Sequence, residues 1–366
     1  MKKTLFAALA LVAMASCSNE EVLEMAQKEA IGFDNAFVEN ATRSITDPSL
    51  TIDGTNKLTD FSVYAFVQGG GTGTSIAPLF TNEKVSNVGI TNNDLQNAWK
   101  YAGTQYWIPD AKYNFCAVAP YNGNWEIGTN QCSVDGTTIK TVLNFTNDGI
   151  TDLLYAVAKQ YTGKTSGNSD VAFNFQHLLS KVKFSFLNNY NADQATIKVS
   201  NIKINNPFKT GTVTLTHDAT PTITTVWSAQ ANTTGDSKLT LNFGNVTIDG
   251  DSEDADAFGL AEYESYKELL LIPGAAKETN GYNVTFTVDL LINGTLITSY
   301  NHDVNIALTL EPGKCYDIKA TINAQNINPS QAQEPIEFTA SISGWDKTNE
   351  SQTITLPVVQ TSVAGK

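Results

Sequence analysis

An all-β fold of two antiparallel sandwiches in tandem is predicted from three observations. Apolar residues alternate with period two, turn clusters separate those runs, and the composition favours strands over helices. The alternation is clear in Phe61-Ser62-Val63-Tyr64-Ala65-Phe66-Val67, in Val182-Lys183-Phe184-Ser185-Phe186 and in Ile197-Lys198-Val199 with Ile202-Lys203-Ile204. It returns in Val213-Thr214-Leu215 and in Val284-Thr285-Phe286-Thr287-Val288-Asp289-Leu290. Successive strand side chains point to opposite faces, so each run reads as a half-buried strand.

The turn clusters are Gln68-Gly69-Gly70-Gly71-Thr72-Gly73, Tyr121-Asn122-Gly123-Asn124, Thr162 to Ser169 and Ile292-Asn293-Gly294-Thr295. Asn293-Gly294 between apolar runs is the type I′ hairpin signal, because both central positions need positive φ. Short strands at spacings of roughly 8–12 residues argue for sandwiches rather than βαβ units. One short helical turn is expected over Asn92 to Trp99, with Thr91 as its cap.

The chain has 366 residues, of which 41% are hydrophobic and 16% charged. That length suits two domains and an export segment. The polar stretch from Tyr161 to Asp170 sets the expected boundary, giving 1–17 as signal peptide and 18–43 as a propeptide segment. The two sandwiches are then 44–165 and 166–366. A net charge of −14 with no lysine-rich run excludes nucleic acid as a partner.

Met1-Lys2-Lys3 and the apolar run Thr4 to Ala15 form a charged and then a hydrophobic region, roughly half the length a membrane span needs. Met14-Ala15-Ser16-Cys17 follows as a lipobox, which makes Cys17 the expected lipidation site and the outer membrane a partner through acyl chains. Ser18-Asn19-Glu20-Glu21 resembles the surface-export signal of Bacteroidetes lipoproteins. Cys116, Cys132 and Cys315 remain, an odd number, so at least one is unpaired. Cys116 and Cys132 flank a turn and could bridge two strands, but buried free thiols are the preferred reading.

No catalytic constellation stands out. His177, His217 and His302 are far apart and fit no metal-ligand spacing, and His177 reads as a strand-end or core hydrogen-bonding residue. No Gly-x-Ser-x-Gly elbow is present, and Gly69 to Gly73 lacks the residues of a phosphate loop. The acidic run Asp249 to Asp256 has Asp254 and Leu260 where a calcium loop needs Gly and Glu, so it reads as a solvated connection. No enzyme activity, cofactor or metal is expected. Tyr101, Tyr106, Trp107, Tyr113, Tyr121 and Trp125 offer either hairpin packing or a platform for sugar rings. The alternative function is therefore a surface glycan-binding lipoprotein that does not polymerise.

Arg43 is the only arginine, so an arginine-specific protease has one site. It lies in Glu39-Asn40-Ala41-Thr42-Arg43-Ser44-Ile45, beyond the strand-like Ala30-Ile31-Gly32-Phe33. Near the other end, Ile336 to Ile342 alternates, and Thr353-Ile354-Thr355-Leu356-Pro357-Val358-Val359 is a second apolar run whose Pro357 suits an edge strand. Ile354, Leu356, Val358 and Val359 are candidate donor-strand residues, with a plain closing hairpin as the other reading.

The ordered set of motifs resembles the fimbrillin family of Bacteroidales, which includes FimA-type and Mfa-type pilins. It comprises Cys17 with its acidic flank, Ala30-Ile31-Gly32-Phe33, Ala41-Thr42-Arg43 and Asp152-Leu153-Leu154-Tyr155-Ala156. Phe175-Gln176-His177-Leu178-Leu179-Ser180-Lys181-Val182 and Pro312-Gly313-Lys314-Cys315-Tyr316 complete it. The resemblance implies two transthyretin-like sandwiches and a lipoprotein precursor at the cell surface, cleaved after Arg43 so that the mature chain starts at Ser44. It also implies polymerisation by donor-strand exchange into an adhesive fimbria. The partners it implies are other fimbrial subunits, an arginine-specific protease and a host or glycan ligand.

Overall fold

The structure is a computed structural model that describes residues 29–38, 58–69, 75–87, 99–190, 195–218, 222–231, 239–248, 256–257, 268–275, 281–345 and 347–360. These residues form strands and turns without a helix. The expected helical turn at Asn92 lies outside the described residues except for Trp99, which instead opens a strand.

The first strands are β1 (Phe33–Val38), β2 (Asp60–Gln68), β3 (Ile76–Asn87), β4 (Trp99–Tyr101) and β5 (Lys112–Ala119). Then come β6 (Trp125–Asp135), β7 (Thr138–Thr146), β8 (Leu154–Thr162) and β9 (Val171–His177). Seven of them close into a barrel in the order β1-β4-β3-β2-β5-β8-β9. Its interior is lined by Phe61, Phe80, Phe115, Phe173 and Phe175 with Ile31 and Phe33.

The middle of the chain supplies β10 (Ser180–Asn188), β11 (Ala195–Ile204), β12 (Thr210–His217), β13 (Ile223–Ala231) and β14 (Leu241–Ile248). Short strands β15 (Asp256–Ala257), β16 (Leu269–Leu271) and β17 (Gly274–Ala275) follow. The last are β18 (Tyr282–Ile292), β19 (Thr295–Ile306), β20 (Thr309–Leu310), β21 (Lys314–Ile322), β22 (Phe338–Gly344), β23 (Lys347–Leu356) and β24 (Val358–Gln360). One sheet runs β15-β10-β21-β22-β23 with β16 also on β10, a second runs β14-β11-β18-β19-β24, and an apolar core fills the space between them. Asn293 (φ 50°) and Gly294 (φ 73°) make the turn between β18 and β19, as their sequence signals.

A third layer joins the halves. The β6–β7 hairpin of the first half pairs through β7 with β12, giving the sheet β13-β12-β7-β6. This sheet covers the outer face of the barrel wall, where Tyr64, Cys116, Val118 and Tyr155 pack against Leu143, Phe145 and Val213. Strands β2, β5 and β8 are thus covered on both sides, and Phe61 to Ala65 and Tyr113 to Ala119 are buried without a break. The boundary expected at residue 165 falls between β8 and β9, which pair with each other. Strand pairing runs across that position, with β9 completing the barrel and β10 opening the next sheet, because a polar loop marks a turn as readily as a linker. The sheets are also not purely antiparallel, since β1 lies parallel to β9 and β10 to β21. Alternation reports which face is buried and carries no information on strand direction.

His302 faces Phe286 across the β18–β19 pair, its ring stacked at 4.8 Å and 6°. Its Nε2–H donates to the Ile327 carbonyl at 3.1 Å, and buried Nδ1 has no partner among the described residues. A proton on Nδ1 would leave a charged donor unpaired in the core, and burial lowers the ring pKa to about 4. The folded pKa lies below the unfolded value near 6.5, so the unfolded chain binds more protons between the two. Stability should therefore be complete above pH 6.5 and fall by up to about 3 kcal/mol as pH drops to 4. In urea titrations across that range, His302→Gln should remove this part of the slope while leaving the carboxylate part.

Candidate functional site: the strand that closes the barrel

The barrel closes through β1 alone. On one side β1 runs parallel to β9, pairing Phe33 with Val171, Asp34 with Ala172, Phe37 with Asn174 and Val38 with Phe175. On the other, Phe33 pairs with Trp99 of β4. Ahead of the strand, Ile31 N–H donates to the Gln105 carbonyl at 2.8 Å, and the Tyr101 hydroxyl donates to the Ile31 carbonyl at 2.9 Å. Val171 N–H reaches the Gly32 carbonyl at 2.8 Å, and Trp107 N–H the Glu29 carbonyl at 3.0 Å. Gly32 permits this approach, because a Cβ there would overlap the Asp170 carboxylate. The Glu29 carboxylate accepts from Gly167 N–H, Asn168 N–H and Asn168 Nδ2, each at 2.7 Å. The backbone amides of Asn168 and Gly167 hold its carboxyl below the usual carboxylate range.

Phe33 is 2% exposed and sits within an aromatic cage. Its ring stacks on Phe173 at 6.0 Å and meets Phe61, Phe80, Tyr101 and Phe115 edge-on at 5.6 to 6.4 Å. Ile31 is buried beside it. At roughly 1.5–3 kcal/mol per side chain, these two contribute about 3–6 kcal/mol of burial. Excising them would leave an apolar slot flanked by two unpaired strand edges, on β4 and β9.

The predicted residues fall in three places. Cys17, Arg43 and Ser44 lie outside the described residues, with β1 ending at Val38 upstream of Arg43. Ile354 and Leu356 are on β23, the outermost strand of its sheet, with Leu356 buried and Ile354 half-buried against the second core. Val358 and Val359 belong to β24, whose backbone pairs with Ile306 and Asn305 of β19. The chain therefore changes sheets at Pro357, along the edges of both. The preceding run Ile336 to Ile342 differs, since β22 lies between β21 and β23 and buries Phe338 and Ala340 fully.

The two tryptophans of the aromatic region are buried, while Tyr106 is exposed. Trp107 packs inside the barrel on Tyr113, and Trp125 packs under the outer sheet with its Nε1–H on the Pro120 carbonyl at 2.7 Å. Their faces are used by two different cores, which withdraws the stacking surface on which the glycan reading rested. The acidic run Asp249 to Asp256 is outside the described residues up to Ala255.

A second cluster escaped sequence reasoning. Asp152 Oδ2 and His177 Nδ1 are 2.6 Å apart, both fully buried, and the His177 ring stacks on Trp345 at 4.0 Å and 9°. Lys181 Nζ lies over the same indole at 5.1 Å and pairs with Glu268 at 3.0 Å. Leu178 N–H donates to the Leu153 carbonyl, and Gly313 N–H to the Leu179 carbonyl, each at 2.9 Å. Three short motifs, at Asp152, His177 and Gly313, thus meet where the chain passes from barrel to sandwich.

The molecule is thus an all-β protein whose barrel is completed by β1 and whose strands β23 and β24 lie along sheet edges. A profile described as fimbrillin-like matches residues 42–345, and the chain belongs to that family. Among curated relatives, the fimbrium subunit Fim1C of Phocaeicola vulgatus is 26% identical over 196 residues, 49% of this chain and 50% of that protein. The chain spans about half the length of this relative. A crystal structure of a fimbrial protein from Bacteroides vulgatus has a TM-score of 0.50 and 16% identity, covering 86% of this chain and 99% of that one. The family is one of structural fimbrial subunits, not of enzymes.

Truncating Phe33 to Ala should destabilise the protein by about 3–5 kcal/mol, read as a lower urea midpoint. A loss under about 1 kcal/mol would mean that the closing strand bears little of the barrel's stability.

Proposed function

We propose that the chain is a subunit of a surface fimbria that assembles by exchanging its closing strand for a strand of a neighbour. In this reading it is exported as a lipoprotein through Cys17 and held at the outer membrane. An arginine-specific protease cuts after Arg43, leaving Ser44 as the first residue and freeing the segment that carries β1. The observation that carries the reading is the position of β1, which alone closes the ring and buries Phe33 in the barrel core.

The physics favours replacement over collapse. A vacated slot offers unpaired N–H and C=O groups on β4 and β9 and an apolar floor from Phe61, Phe115 and Phe173. An incoming extended segment satisfies both at once. Ile354, Leu356, Val358 and Val359 supply alternating apolar side chains for it. Releasing them is feasible, because β23 and β24 are outermost strands and β24 is held by only three register pairs. A stalk position suits a subunit with both a slot and a donor. Other pilins are the partners, and adhesion to a host ligand is the task of the assembled fibre.

Arg43→Ala precursor should stay monomeric when treated with an arginine-specific protease, whereas the wild type should give heat-resistant ladders on a gel with Ser44 at the N-terminus. Normal ladders from the variant would remove Arg43 from the mechanism.

A further inference from the structure

Cys116 lies on β5, on the face of the barrel wall turned toward the outer sheet, and Cys132 lies on β6 in that sheet. Their sulfurs are 3.7 Å apart, with Cys116 buried and Cys132 partly exposed. Both also approach Thr141 Oγ1, at 3.8 and 3.7 Å, and that hydroxyl bonds the Tyr155 hydroxyl at 2.9 Å. We propose that Cys116 and Cys132 are a disulfide-forming pair, which on oxidation clamps the outer sheet to the barrel wall.

A disulfide needs sulfurs about 2.05 Å apart, so the pair must close by about 1.7 Å. Side-chain rotation supplies much of this, and the backbone can give beside Cys132. The β6–β7 register slips between Ile127 and Cys132, so the ladder is already interrupted there, and among the described residues β6 has no neighbour on its far side. Cys315 is on β21, with its thiol directed at the Trp345 carbonyl, and takes no part.

The two thiols have unequal roles. Hydrogen bonds from the Cys116 thiol and the Thr141 hydroxyl lower the Cys132 pKa, while the same sulfur contact and burial push Cys116 up. Cys132, the reachable sulfur, attacks an external disulfide R–S–S–R, forming a mixed disulfide and expelling one thiolate. Cys116 then loses its proton and attacks the Cys132 sulfur, expelling the second. One external disulfide is reduced to two thiols, and two protein thiols are oxidised to one disulfide. The clamp closes a short loop over the β5–β6 connection and restrains the unfolded chain.

The full chain, incubated with oxidised glutathione, denatured and alkylated without reductant, should yield a linked Cys116–Cys132 peptide. Its Tm should fall by about 4 °C on reduction. Cys132→Ser should lose both the linked peptide and the reductant-dependent shift. The comparison of oxidised with reduced wild type decides the matter even if a Cys116 variant fails to fold. Recovery of Cys116 alkylated, with Cys132 either alkylated or carrying glutathione, overturns the proposal. A linked peptide with an unchanged Tm overturns the clamp.

Discussion

The architecture depends on one pairing, in which β1 joins β9 on one edge and β4 on the other with Phe33 at the centre. A closed sheet has no free edges, and the barrel attains that state only while this strand is in place. Strands β2, β3, β5 and β8 are held by longer antiparallel ladders, and β2, β5 and β8 also by a second face under the outer sheet. β1 has one register pair to β4 and an interrupted parallel ladder to β9. Its apolar contribution is large and its covalent tie to the barrel is not a hairpin, so it is both essential to closure and topologically removable. That combination is what a replaceable strand requires.

The rest of the molecule would brace the barrel during the exchange proposed above. The outer sheet is assembled from hairpins of both halves, so the wall formed by β2, β5 and β8 is covered from outside while β1 packs against its inner face. At the junction, Asp152, His177, Trp345 and Lys181 form a hydrogen-bonded and stacked cluster that connects the end of β9 to the start of β10 and to the end of β22. Because β9 is one lip of the slot, this cluster fixes the slot relative to the sandwich that carries β23 and β24. The closing strand and the edge strands proposed as donor would thus sit on one braced body.

Much of the fold was legible because strand periodicity is local. The β11, β12 and β18 runs alternate cleanly since one face meets a core and the other is less buried, and Asn293-Gly294 dictates its own turn. The barrel wall was misjudged in one respect: Phe61 to Val67 was read as a half-buried strand, yet Ser62 and Tyr64 are buried too, because the outer sheet covers the face they share. Ring closure, the parallel β1–β9 pairing and the shared outer sheet depend on contacts between distant residues, on which local pattern is silent. Ile31 and Phe33 were recognisable as a buried strand. The Trp107 and Trp125 faces were not assignable without coordinates, since an aromatic-rich hairpin reads the same whether it packs inward or presents a platform. Glu29 and the Asp152–His177 pair were missed because each partner lies far away in sequence.

The most direct measurement is the identity of the strand between β4 and β9 in the assembled fibre, determined by cryo-electron microscopy at side-chain resolution. Residues around Ile354 to Val359 of an adjacent subunit should occupy the position that Ile31 to Val38 hold in the precursor. Finding the chain's own Phe33 still enclosed by Phe61, Phe115 and Phe173 in the fibre would contradict the account.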